Sequence, residues 1–169
     1  YRPDGHVEGL WVMTANNDLF HYVQCGLDNV WLTSGVEVTE TDYGKGFRIG
    51  NAEQLHEAIA RSIINGPRHL RGQEARFLRV LLNLSQDAMA KILGVDRATV
   101  IRWERARERP LTMIQDIAVR TTYAARTSDD DFLLSVIKEM QDKDEKTYGD
   151  LPRQVFETSN QGWRARQAA

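Results

Sequence analysis

Three arginines, Arg97, Arg102 and Arg105, share a short window with Ala98, Thr99 and Ile101. A guanidinium offers two parallel donors, the geometry that pairs with O6 and N7 of guanine in the major groove of DNA. Arg97 and Arg102 suit that role, although each is also open to the plainer reading of a surface charge or a phosphate contact. Ala98 or Ile101 suits a thymine methyl group, and Thr99 suits a phosphate oxygen or the helix end. Arg76, Arg79, Arg105, Arg107 and Arg109 surround the window and suit phosphate neutralisation, which adds affinity and little sequence choice. The expected partner is therefore double-stranded DNA, read by a helix lying in its major groove.

Two helices are needed to present that window. Ser85 is an N-cap residue type ahead of Gln86, and Asp96 caps the helix expected over residues 97–106. Gly94 ends the first helix where a left-handed backbone is favoured. Ala90 is small enough for a close helix crossing, and Val95 points back inward. Val100 and Trp103, three apart, face the core and turn Arg97, Ala98, Ile101, Arg102 and Arg105 outward. An ordinary αα-hairpin with a glycine turn shares the terminator but not the whole set.

The stretch from Leu84 to Glu104 resembles the lambda-repressor-like (Xre) helix-turn-helix. In that pattern a Gln begins the second helix, an Ala takes the fifth place, a Gly the ninth and a Val or Ile the fifteenth. Here these are Gln86, Ala90, Gly94 and Val100, followed by the terminal Trp103-Glu104. The resemblance implies that Gln86 grips a phosphate with its amide, beside the N–H groups of its helix start. A second resemblance rests on the segments from Phe20 to Gly35, from Leu55 to Ile59 and from Gly72 to Arg79. These are similar to bacterial regulators related to MqsA-type (YgiT-like) antitoxins. Those antitoxins usually begin with a four-cysteine zinc module, which a chain with one cysteine lacks.

The net charge of −2 argues against DNA on its own, but the charge is unevenly spread. Residues 68–109 hold ten Lys/Arg and five Asp/Glu, a balance of +5 that leaves −7 for the rest. A basic module inside an acidic chain is a phosphate-contact footprint. The lone Cys25 excludes an internal disulfide and fits a reducing cytoplasm, and the resemblance to bacterial regulators implies a bacterial one with nucleoid DNA as the target. His6, His21, His56 and His69 lack metal-ligand spacing, so neither zinc nor another cofactor is expected. There is no apolar run of membrane-crossing length and no secretion signal. The chain starts at Tyr1, and Met13 is a plausible natural start.

The expected fold class is α+β, a small N-terminal antiparallel sheet followed by an all-α helix-turn-helix bundle of four to five helices. Residues 1–18 are read as a disordered leader. Residues 19–66 are read as two or three strands between Leu19 and Ile49, then a helix from Ala52 to Asn65 capped by Asn51 and stopped by Gly66-Pro67. Residues 67–126 form the DNA-binding domain, with helices at Gly72–Asn83 and Leu111–Arg126, the latter turning Ile114, Ile117, Ala118 and Thr121 inward. Residues 127–169 hold a helix from Asp131 to about Lys143, with an apolar stripe at Phe132, Leu133, Val136, Ile137 and Met140. A mobile tail is expected after Lys146.

One such module buries little surface on DNA, so a homodimer on two half-sites is expected, joined through the last helix or the sheet. The sequence points to a transcriptional repressor. The alternative is an antitoxin-like protein that binds a toxin and autoregulates its operon. No nucleophile–base pair or phosphate loop stands out, and Asp28 and His21 read as turn and surface residues, so no enzymatic role is expected.

Overall fold

The computed structural model describes residues 19–41, 44–127 and 153–166. The leader, the helix expected from Asp131 and its apolar stripe lie outside these residues. The described chain runs β1 (Phe20–His21), a 3-10 turn at Val23–Cys25, β2 (Val30–Leu32), β3 (Val36–Thr41), β4 (Gly44–Ile49), α1 (Ala52–Ile64), α2 (Gly72–Leu81), α3 (Gln86–Leu93), α4 (Arg97–Arg105), α5 (Met113–Thr127), β5 (Gln154–Ser159) and β6 (Gly162–Arg166). This is an α+β fold, with four strands ahead of a five-helix unit that contains the helix-turn-helix and two strands after it.

The sheet differs from the expected one. A four-stranded sheet has the order β1-β2-β5-β6, and β3 with β4 form a separate antiparallel hairpin. β2 pairs in parallel with β5 (Val30 opposite Gln154, Leu32 opposite Phe156), while β1–β2 and β5–β6 are antiparallel. The segment expected to be a mobile tail thus supplies two of the four strands of the larger sheet. Phe156 is fully buried beside Val30 and Leu32, and Trp163 donates its indole N–H to the Gly50 carbonyl at 2.9 Å. Burial of those two rings orders the hairpin despite its short, weakly patterned strands.

α1 begins at Asn51, whose φ of 47° an asparagine tolerates and whose side chain accepts the Gln54 N–H. Its buried stripe of Leu55, Ile59, Ile63 and Ile64 joins one core with Leu27, Leu32, Leu70, Leu78, Val119 and Phe156. That core runs without a break from the sheet to α5.

α5 is rotated from its expected orientation. Ile114 is 81% exposed, and Ile117, Ala118 and Thr121 are only half-buried. The buried face carries Asp116, Val119, Arg120, Tyr123 and Ala124. Asp116 accepts the Leu70 N–H at 2.9 Å and Arg120 Nε at 2.8 Å. Arg120 also donates to the carbonyls of Ile63, Ile64 and Arg68. A charge pair whose donors and acceptors are filled in this way belongs inside, so two polar residues displace the apolar ones from the inner face.

Candidate nucleic-acid interface

The two helices of the motif are set by local chemistry. Ser85 Oγ accepts the Ala88 N–H at 3.0 Å and opens α3. Gly94, at φ 66°, closes it in the left-handed region, and the Val95 N–H turns back to the Ala90 carbonyl at 3.0 Å. Asp96 Oδ1 then accepts the Thr99 N–H at 2.6 Å and starts α4. That hydrogen bond holds the Asp96 carboxyl below its ordinary range.

α4 is fixed by its inner face. Val100 is buried and Trp103 half-buried, and Gly72 of α2 lies where a Cβ would fall on the Trp103 and Ala106 carbonyl oxygens. Glu104, one helical turn after Val100, is buried too. Its Oε1 accepts Arg79 Nε at 2.5 Å, and its Oε2 accepts Arg79 Nη2 and Gln86 Nε2, both at 2.9 Å. Arg79 Nη1 donates to the Leu84 carbonyl at 2.6 Å. This two-pronged pair binds α2, α3 and α4 together. Arg79 is therefore a clamp between helices, not the phosphate neutraliser expected, because its guanidinium is committed to Glu104 and Leu84. The role of Glu104 was missed, although its spacing of four from Val100 places it on the inner face.

Outward from this core, Arg97, Ala98, Arg102 and Arg105 are exposed, and Thr99 and Ile101 are half-buried. Arg97, Ile101, Arg105 and Arg107 line an open cleft together with Arg76 of α2 and Gln86 of α3, with the Arg79–Glu104 pair in its wall. Arg102 and Thr99 line a second groove with Trp103, Arg109 and Gln115. Arg102 Nη2 donates to Thr99 Oγ1 at 2.8 Å, so this arginine lies back along its own helix. Arg107 Nη2 donates to Gln73 Oε1 and to the Gly26 carbonyl, each at 3.1 Å. The structure thus gathers Gln86, Arg97, Ile101, Arg105 and Arg107 on one cleft. It sets Thr99 and Arg102 on another, with Asp96 at the helix start and Ala98 on the exposed surface.

An arginine-lined cleft beside an exposed helix start can take phosphate oxygens on its rim and base edges against the helix. Among the described residues no group of three His, Cys, Asp or Glu is arranged to hold a metal ion, and no helix is long and apolar enough to cross a membrane.

Residues 76–118, from α2 into α5, match the model of a helix-turn-helix family. No curated protein and no solved structure matches the chain. The match and the geometry agree on a DNA-binding helix-turn-helix of the lambda-repressor-like (Xre) type within this segment.

Proposed function

We propose that the protein is a sequence-specific transcriptional repressor that reads the major groove with α4, acting on nucleoid DNA in a bacterial cytoplasm. One observation carries this reading. Arg97, Ala98 and Arg102 stand exposed on a helix whose inner face is locked to two others by Val100 and the Glu104–Arg79 pair. Rigid placement is what base reading requires, since a bidentate contact tolerates little displacement. In this reading Arg97 and Arg102 address guanines, Ala98 or Ile101 meets a thymine methyl, and Gln86, Thr99, Arg105 and Arg107 hold phosphates.

A second copy of the chain completes the site, each copy reading one half-site. Met113 and Ile114, 40% and 81% exposed at the start of α5 beside Gln115 of the Arg102 groove, offer an apolar contact for it. Selection of bound duplexes from a random pool at moderate salt tests the proposal. A recovered palindrome that degenerates at one position per half-site in Arg97→Ala or Arg102→Ala is the expected result. No enrichment, with binding that fades steeply as salt rises, overturns it.

A second reading draws on the β3–β4 hairpin, where Val38 and Phe47 lie opposite one another and are 47% and 40% exposed. An apolar pair of that kind suits a protein partner, as an antitoxin requires. Co-purification of a small basic protein that Val38→Asp releases would favour it.

A further inference from the structure

Arg107 is the one cleft arginine described as hydrogen-bonded to the N-terminal strand unit, and the contacts around it form a chain. Gln73, at the start of α2 and only 1% exposed, grips it twice. The Gln73 backbone N–H donates to the Arg107 carbonyl at 3.0 Å, and Gln73 Oε1 accepts Arg107 Nη2 at 3.1 Å. The other end of the same amide, Nε2, donates to Asp28 Oδ1 at 2.9 Å. The loop holding Asp28 is itself braced, because the His21 ring nitrogen Nε2 donates to the Asp28 carbonyl at 2.7 Å and the Gly26 carbonyl accepts Arg107 Nη2.

We infer that Gln73 and Asp28 are positioning residues that hold the Arg107 guanidinium at the rim of the arginine-lined cleft, so that the N-terminal unit takes part in phosphate contact. This rests on the DNA-binding reading above. An amide has one acceptor and one donor end, and Asp28 fixes which end faces Arg107 by accepting from the other. With its Oε1 turned to the cleft, Gln73 spends only Nη2 of the guanidinium. Among the described residues Nε and Nη1 of Arg107 make no hydrogen bond, so each is left to donate singly to a phosphate oxygen. A flexible arginine loses rotamer freedom on gripping a phosphate, and one already held loses less.

The test measures binding of the full chain to a labelled random-sequence duplex across a salt series. Such a duplex reports phosphate contacts without depending on base reading. Arg107→Ala is expected to weaken binding and to lower the salt slope by about 0.9, the share of one phosphate. Asp28→Ala and Asp28→Asn both remove the charge, but only Asn keeps an acceptor for the Gln73 amide. Asp28→Asn should therefore bind about fivefold tighter than Asp28→Ala, the worth of one hydrogen bond. In the Arg107→Ala background that difference should vanish. Asp28 is exposed, so these variants keep the fold where Gln73→Leu endangers it. Equal affinity of the two Asp28 variants, or a difference that survives in the Arg107→Ala background, overturns the positioning role while leaving the DNA reading intact. A wild-type chain that binds no duplex overturns both.

Discussion

Glu104 is 7% exposed, and a carboxylate so placed is tolerated because its oxygens are filled by Arg79 and Gln86. Removing the cation leaves a buried charge without its main partner, so Arg79→Leu should lower stability by about 3–5 kcal/mol in urea unfolding. Arg102 has a different kind of consequence. Arg102→Ala should leave the melt unchanged and cost about 1–3 kcal/mol of binding at a single base position, read by competition with point-substituted duplexes. A third prediction concerns Glu74. Burial pushes its carboxyl above the ordinary range, against the pull of Arg68 and the Arg71 N–H. The folded state thus binds this proton more tightly than the unfolded chain does. Stability from this group is present below the ordinary glutamate range and falls as pH climbs through the raised folded value. Glu74→Gln keeps an acceptor for the Arg71 N–H and should flatten that decline in unfolding curves taken upward from mildly acidic pH.

At the scale of helices, the motif was legible because its rules are local. Ser85, Gly94 and Asp96 each act within a few residues, and the structure shows each doing what its type suggests. Asp96 carries a pH consequence opposite in sign to that of Glu74. Its carboxyl is held low by the Thr99 N–H, so its contribution is present above the ordinary aspartate range and is lost as pH falls through the folded value. Asp96→Asn keeps the capping oxygen and should give a shallower acid limb in melts. α5 was misread for an equally physical reason. Periodicity assigns apolar residues to the inner face, whereas Asp116 and Arg120 satisfy one another and the carbonyls of α1, leaving Ile114 outside. Close packing of α2 on α4 was also hidden, because Gly72 is explained by the Trp103 carbonyl and not by any turn. Gly72→Ala should cost about 1–3 kcal/mol by overpacking, measurable as a lowered melting temperature.

Across the whole molecule, the sheet was the least legible part. β2 has three residues, and its parallel partner lies far along the chain, with Thr33 and Phe156 joined over 123 positions. No local pattern announces such a pairing, and the hairpin that supplies it reads as an ordinary polar tail apart from Val155, Phe156 and Trp163. Phe156→Ala should lower stability by about 3–5 kcal/mol and broaden the melt, as the sheet loses the ring at its centre. The pairing also orders events during synthesis. Residues 72–127 can close their short-range helix contacts as soon as they leave the ribosome, because everything they clamp lies within that stretch or before it. β2 must wait with a bare edge until β5 and β6 emerge, and only then is the loop that carries Gly26 and Asp28 backed by the four-stranded sheet. A nascent chain that has not yet added β5 and β6 would therefore present a formed α4 before the loop beneath Arg107 is braced, so on the proposed reading the two strands that follow α5 complete the hold on phosphate.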